Sequence, residues 1–262
     1  MGINKVIYKG RTLIDLTEDT VTASSLENDY SAHGADGEQM VGTGEAIEKA
    51  EKDAIRTVVD GSYAGEYRDE ELTEVRPYGL YGMSGLTSLN LPALTTVGDS
   101  GLRGMSGLTS LNLPALATVG HNVLMDCTSL VSIELPALTR CGNALVQGCS
   151  ALKRLVLPKL GYVSWAMCQK VASLEVFDTT AWSFSSSAFM GCSSLVAVII
   201  RRNGMAGLGG VGEFADTPIA NGTGYIYVPR ALVDKYKVAT NWSVYADQIR
   251  AIEDYPEICD PE

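Results

Sequence analysis

Apolar positions return every 22 residues through the middle of the chain. The stretch GMSGLTSLNLPAL occupies Gly82–Leu94 and recurs letter for letter at Gly104–Leu116. One column of the aligned rows contains Leu89, Leu111, Ile133, Leu155, Phe177 and Val198. Apolar and polar residues alternate around Leu89 and Leu91, which predicts a short strand with one face inward. Pro92 ends this strand because proline has no N–H to donate. Stacking the rows buries the apolar stripe that a single row would leave exposed.

The row pattern L-x-x-L-x-L-x-x-L is the leucine-rich-repeat signature, for which this period is usual. The segments MDCTSLVSIELPALTRCGNALVQGCSALKRLVLP and FSSSAFMGCSSLVAVII resemble BspA-type leucine-rich repeats. Turns of that family begin with C-x-x-L, which Cys127, Cys149 and Cys192 match, and carry A-F near a corner, which Ala188-Phe189 matches. The resemblance covers about Tyr67–Ile200 and implies a solenoid.

The flanking segments lack the leucine columns and predict separate parts. An open stack exposes strand edges at both ends and therefore needs caps, and Tyr67–Pro77 reads as a degenerate first row. We expect a small N-terminal α+β module at 1–43, a linking helix and cap at 44–66, the solenoid at 67–203 and a C-terminal cap at 204–262. The predicted fold class is an α/β, β-rich leucine-rich-repeat solenoid with a helical C-terminal cap.

The N-terminal segment predicts a few short elements. Strands are expected around Lys5–Asp15, a short helix from Ser24, a hairpin turn at Asp36-Gly37 and a helix over Gly44–Val58. The phrases TLIDLTEDTVTASSL and AHGADGEQMVGT resemble a small N-terminal module of bacteriophage and prophage tail and baseplate proteins. That resemblance implies attachment to a tail or baseplate.

The C-terminal segment predicts a strand at Tyr225–Val228, a helix from Pro229 and a second helix from about Asn241 through Gln248. The series IYVP…YK…NWS.YA..I also resembles the C-terminal end of BspA-type proteins. We expect Trp242 and Tyr245 to pack on the last row rather than bind sugar.

Composition and charge reduce the classes of partner that the chain is expected to bind. The chain has 262 residues, 46% hydrophobic and 19% charged, which is typical of a globular protein, and its formal net charge is −11. That charge disfavours nucleic acid and anionic membranes. Apolar runs stay short of the roughly 18 residues that a membrane span needs. The start MGINKVIYKGRTLIDL has no apolar h-region, so we expect that a secretory signal peptide is absent or was removed before this start. We expect no membrane insertion.

Residues suited to catalysis are sparse. Of the two histidines, His33 precedes a turn and His121 takes a position that Asp99 and Asn143 fill in neighbouring rows. The G-x-G-x-x-G match at Gly207–Gly212 lacks the strand–turn–helix context of a dinucleotide site. We therefore expect a chain that is not an enzyme and has no cofactor, with a hydrolase as the weaker alternative.

The six cysteines lack the spacing of a zinc site, so no metal is expected. Cys127 and Cys149 fall in one column, where neighbouring α-carbons come close enough for a disulfide. Because methionine and valine share that column, buried free thiols are favoured, and a Cys127–Cys149 disulfide is the alternative.

The remaining candidate function is binding by the surface. Outward strand positions are small or polar: Ser88, Asn90, Ser110, Asn112, Ser132, Glu134 and Arg154. Tyr162, Trp165 and Trp182 interrupt later rows and serve either as binding residues or as packing for a looser row. We expect a binding or adhesion protein for a protein or surface glycan, associated with a (pro)phage tail or, alternatively, a BspA-like adhesin on the bacterial cell surface.

Overall fold

The rows of the leucine pattern form successive turns of a solenoid in the computed structural model of the chain. The structure describes residues 65–260 and, nearer the N-terminus, the backbone of four strands. The chain divides into two units, Met1–Tyr63 and Ala64–Glu262. The finer domain boundaries expected from the sequence stay predictions.

The described part of the first unit is one antiparallel sheet. Its strands are β1 (Ile3–Tyr8), β2 (Arg11–Asp15), β3 (Ser31–Gly34) and β4 (Gln39–Val41), in the order β2-β1-β3-β4. Strands β1 and β2 confirm the strands expected around Lys5–Asp15. Strands β3 and β4 are antiparallel and flank Asp36-Gly37. The turn itself and the helices expected from Ser24 and over Gly44–Val58 lie outside the described residues.

In the second unit each turn up to Leu208 contributes one longer and one short strand, and two final strands then extend the longer-strand series. These are β5 (Gly65–Arg68), β6 (Glu74–Val75), β7 (Leu86–Asn90), β8 (Thr96–Val97), β9 (Ser110–Asn112), β10 (Thr118–Val119), β11 (Ser132–Glu134), β12 (Arg140–Cys141), β13 (Arg154–Leu157), β14 (Tyr162–Val163), β15 (Val176–Thr179), β16 (Ser183–Phe184), β17 (Ala197–Ile200), β18 (Gly207–Leu208), β19 (Tyr225–Val228) and β20 (Ile249–Ala251). Strands β5 and β6 confirm the degenerate first row.

Both strand types pair in parallel across neighbouring turns. The longer strands form the sheets β5-β7-β9 and β11-β13-β15-β17-β19-β20, and the short ones form β12-β10-β8-β6 and β14-β16-β18. Residues 22 apart are partners: Leu89 pairs with Leu111, and Ile133 with Leu155. The predicted solenoid and its period are confirmed.

The leucine columns fill the interior. Leu89, Ile133 and Leu155 are each 0–1% exposed, whereas Leu111 in the same column is only half-buried. Leu111 lies on β9, and β9 and β11 belong to separate sheets, so the longer-strand face has a break there. Burial of large aliphatic side chains at about 1.5–3 kcal/mol each is the main stabilising contribution.

Each turn bends through two left-handed backbone positions. The first series has φ between 54° and 60° and contains Tyr78, Ser100, Asn122, Ala144, Ala166 and Ser187. The second has φ between 62° and 79° and contains Gly82, Gly104, Asp126, Gly148, Lys170 and Gly191. Since side chains other than glycine and asparagine resist this conformation, the packed turns must hold it.

The C-terminal residues close the last turn. A 3₁₀ turn at Arg230–Leu232 leads into α1 (Val233–Val238), and α2 (Pro256–Cys259) follows another 3₁₀ turn at Ile252–Asp254. The predicted strand at Tyr225–Val228 and the helical segment after Pro229 are confirmed. The second predicted helix is wrong in type, because Ser243–Gln248 is 3₁₀ and kinks at Tyr245.

Trp242 is the anchor of this cap. Its ring lies edge-on to those of Phe184 and Tyr236, and its Nε1 donates a hydrogen bond to the carbonyl of Ala206 at 2.7 Å. Tyr245 is also buried and packs edge-on to Phe214. The prediction that both residues pack on the last turns is confirmed.

Candidate binding surfaces

The polar residues expected on the outer strand face come together in register. We call Ser88, Asn90, Ser110, Asn112, Ser132, Glu134 and Arg154 the polar strip. Ser88 pairs with Ser110, and Asn90 with Asn112. Because side chains alternate along a strand, these residues point away from the leucine-filled interior. The Nδ2 of Asn112 donates to the Oδ1 of Asn90 at 2.8 Å, so the amides form a ladder on the surface.

The strand break divides the polar strip. Residues on β7 and β9 lie on one side, and those on β11 and β13 on the other, with Ser132 paired to Arg154. Exposed Thr87, Thr109 and Val131 lie next to the strip and widen this open face.

The polar strip ends at Arg154 because the C-terminal residues cover the next strands. Ile252, Tyr255 and Ile258 pack on a buried cluster of outward strand residues and Cys259. That cluster comprises Ala197, Ile199, Tyr227 and Cys259, with Val176 and Tyr225 at its margin. Sequence reasoning missed this cover, although the outward positions turn apolar in these rows.

A carboxylate–guanidinium cluster fixes the cover at the end of the strip. Asp178 is 3% exposed, and its Oδ1 and Oδ2 accept hydrogen bonds from Nε and Nη2 of Arg201, each at 2.9 Å. The guanidinium of Arg201 also donates to the carbonyl of Cys259 and pairs with Asp260 at 3.0 Å. Arg154 lies 4.0 Å from Asp178. Hydrogen bonding to Asp178 raises the pKa of Arg201, so its guanidinium stays charged.

The three candidate aromatic residues lie elsewhere. Tyr162 is on β14 and Trp182 directly precedes β16, so both belong to the short-strand side of the turn. Their ring centroids are 6.0 Å apart with planes tilted by 40°, and their exposed fractions are 39% and 56%. Trp165 is 48% exposed and takes the turn position that His121 fills two turns earlier. The structure thus joins Tyr162 to Trp182 and separates them from the polar strip.

His121 has a structural contact rather than a catalytic partner. Its backbone N–H donates to the Oδ1 of Asp99 at 2.7 Å, and its own Nδ1 accepts the backbone N–H of Asn143 at 3.0 Å. Each of these turns therefore binds the next through the same side-chain position.

The cysteines are free thiols, and five of the six are fully buried. The Sγ atoms of Cys149 and Cys192 donate to the carbonyls of Leu124 and Cys168 at 3.0 and 2.9 Å. Burial raises the pKa of Cys127 and of Cys192 to about 12, so both stay protonated. The free-thiol interpretation is confirmed over the disulfide.

Glu213 is a buried acid that sequence reasoning missed. It follows the glycine-rich stretch Gly207–Gly212, is 1% exposed and accepts backbone hydrogen bonds from Ser187, Ala188 and Gly210. Its Oε2 has no hydrogen-bond partner, and burial raises its pKa to about 7. The glycine-rich stretch contains the short strand β18 instead of opening a dinucleotide site.

Two absences concern residues 65–260 and the described strands. No group of three or more His, Cys, Asp or Glu side chains there is placed to hold a metal ion. No helix in those residues combines the length and apolar character that crossing a bilayer requires.

A family model agrees with the repeated fold. A family model described as BspA type Leucine rich repeat region matches residues 73–196 in six copies. The chain is similar to a leucine-rich-repeat protein from T. pallidum at 18% identity, covering 47% of this chain and 72% of that one with a TM-score of 0.39. The chain is also similar to a leucine-rich-repeat protein from Bacteroides ovatus at 11% identity. That match covers 60% of this chain and 59% of the Bacteroides ovatus chain, with a TM-score of 0.35.

A leucine-rich cell surface protein from Faecalibacterium prausnitzii is 13% identical, with 60% of this chain and 62% of that one covered and a TM-score of 0.30. No curated protein matches the chain. The repeated part of the chain, residues 73–196, thus matches the BspA-type leucine-rich-repeat family.

Proposed function

We propose that this chain is a non-enzymatic binding or adhesion protein that recognises a protein or glycan partner through the polar strip. The strip carries the proposal, because its small polar side chains repeat in register on an open face while the interior is closed by packed leucine. Such a face offers hydrogen bonds to a flat partner. BspA-type repeats support binding over catalysis.

Size also favours a macromolecular partner. Stable protein interfaces bury about 800 Å² on each side, which is more than a single strand can offer. The strip spans β7 to β13, and exposed Thr87, Thr109 and Val131 extend it sideways. A partner that bridges the strand break would contact both halves of the strip.

A binding assay with matched variants tests the strip. The protein is immobilised and exposed to bacterial surface extract, and bound material is quantified. Ser110→Arg places a bulky charge on the exposed outer face of β9, whereas Ser150→Arg makes the same change at an exposed turn position outside the strip. We expect at least about tenfold weaker capture for Ser110→Arg alone. Equal capture by both variants would exclude the strip as the binding surface.

For its location, we propose a (pro)phage tail-associated or host-recognition component whose N-terminal module, residues 1–43, attaches to the tail or baseplate. The likeness of TLIDLTEDTVTASSL and AHGADGEQMVGT to such modules supports this choice. Mass spectrometry of purified tailed particles is expected to detect the chain. Detection on surface-labelled bacterial cells and not in particles would instead favour the BspA-like cell-surface adhesin.

A further inference from the structure

Tyr162 and Trp182 form an exposed pair of aromatic rings outside the polar strip. We call them the aromatic pair. In preceding turns the position of Tyr162 holds Arg140, and that of Trp182 holds Gly161. Trp182 is more than half exposed, so most of its apolar surface stays in contact with water instead of stabilising the fold. Packing of a looser turn therefore accounts for only part of this arrangement.

The residues around the aromatic pair are small. A Cβ built on Gly161 would lie 3.2 Å from Nε1 of Trp182, so the indole extends over a position without a side chain. On the following turn the neighbouring positions are Ala206 and Gly207, and Gly207 pairs with Ser183. The two rings consequently rise above a low surface, where a flat ligand can reach them.

The polar ends of both rings are unused. Within residues 65–260, neither Nε1 of Trp182 nor the hydroxyl of Tyr162 has a hydrogen-bond partner in the protein, in contrast to Nε1 of buried Trp242. Arg140 is exposed one turn before Tyr162 and has no ion pair in that range. The surface thus offers two aromatic faces with three groups beside them that can hydrogen-bond to a ligand.

We propose that the aromatic pair is a glycan-binding site that stacks on a pyranose ring, separate from the polar strip. The negative face of an aromatic ring attracts the weakly positive C–H groups on one face of a sugar. The hydroxyls at the sugar's edge then meet the indole N–H, the phenol and the Arg140 guanidinium.

Other partners fit this surface less well. The rim around the rings is polar, with exposed Thr139 and Arg140 and half-buried Ser183, and lacks the aliphatic core of a protein interface. The net charge of −11 opposes stacking of nucleic-acid bases at the same rings.

The test uses the full chain on an array of printed pyranose glycans, followed by titration of the retained glycan with tryptophan fluorescence. We expect at least one glycan to be retained. Trp182→Ala and Tyr162→Ala should each weaken its binding about tenfold or more, while Trp165→Ala, which removes an equally exposed indole, should leave it unchanged.

A blocking variant keeps the test valid if removal of a ring disturbs folding. Gly207→Gln adds a side chain beside the pair and should weaken binding while both rings remain. Its Cβ would make only ordinary contacts, with Ser183 Oγ at 3.5 Å and with Ser183 Cβ and the Trp182 carbonyl oxygen at 4.0 Å. Gly212→Gln, whose Cβ would meet nothing within 4 Å, is the matched control.

Retention of no array glycan, or a glycan affinity that Trp182→Ala and Gly207→Gln leave unchanged, would overturn this proposal. Capture through the polar strip is read with Ser110→Arg, and glycan binding at the aromatic pair is read with Trp182→Ala and Gly207→Gln, so failure of the polar strip and failure of the aromatic pair give different results.

Discussion

Replacing leucines of one column by alanine should have unequal costs, because the strand break alters the surroundings of one of them. Leu155 is fully buried, and its strand β13 pairs with β11 on one side and β15 on the other. Leu→Ala at such a site loses transfer free energy and leaves a cavity, which together cost about 2–5 kcal/mol. We expect about 3–4 kcal/mol for Leu155→Ala.

Leu111 has weaker surroundings although its sequence context repeats that of Leu89 letter for letter. Its strand β9 pairs only with β7, and its side chain is half-buried, so less surface returns to water and the site can collapse more easily. We expect about 1–2 kcal/mol for Leu111→Ala. Leu89→Ala, at 0% exposure on doubly paired β7, should resemble Leu155→Ala and is the control.

Urea unfolding followed by circular dichroism measures these differences in the free energy of unfolding. Because turns of a solenoid unfold with their neighbours, amide hydrogen exchange on β13 and β9 is measured alongside. A cost for Leu111→Ala equal to that for Leu155→Ala would refute the reasoning and show that the face is continuous at β9.

Three further predictions concern single side chains. The five buried cysteines should not react with a thiol reagent in the folded protein, and all six should react in denaturant, since burial raises the pKa values of the buried thiols, that of Cys127 to about 12. Lys170→Gly should raise the free energy of unfolding by about 1 kcal/mol, because Lys170 has φ +62° where neighbouring turns have glycine. A lower free energy of unfolding for this variant, measured by chemical denaturation, would contradict this. Glu213 has a pKa of about 7 in the folded chain, so at low pH its carboxyl is protonated in both the folded and the unfolded chain. Between pH 4.5 and 7 only the unfolded chain releases that proton. The free energy of unfolding therefore falls by up to about 3 kcal/mol as the pH rises through this range, and then levels off. Glu213→Gln should flatten that part of the stability–pH curve, and an unchanged slope would contradict the assignment.

The sequence predicts the solenoid well because each turn repeats the same local arrangement. Alternation around Leu89 and a proline at position 92 define a strand and its end, and the 22-residue spacing then defines which strands are neighbours. The outward direction of the polar strip follows from the same alternation.

The strand break could not be predicted from the rows. Gly82–Leu94 and Gly104–Leu116 are identical, yet Leu89 is fully buried and Leu111 is not. The two rows differ in the strand that follows them: β7 pairs with β9, whose row is identical, whereas β9 does not pair with β11.

The sequence contains one indication of the C-terminal cover, although the repeat pattern alone does not show which residues form it. Outward positions change from serine and asparagine to Ala197, Ile199 and Tyr227, which indicates that something covers them. Only the structure shows that residues 252–260 do so and that Asp178 and Arg201 fix them there.

Disulfide trapping tests the 22-residue register, on which the polar strip depends, most directly. Ser88→Cys with Ser110→Cys places two outward thiols on paired positions of parallel strands, whose spacing of about 4.8 Å suits a disulfide. Ser88→Cys with Asn112→Cys shifts one position by two residues, to beyond about 7 Å. On oxidation the first pair should cross-link and the second should not, as measured by mass spectrometry of peptides from the denatured, unreduced protein. Cross-linking of the second pair in place of the first would contradict the solenoid register.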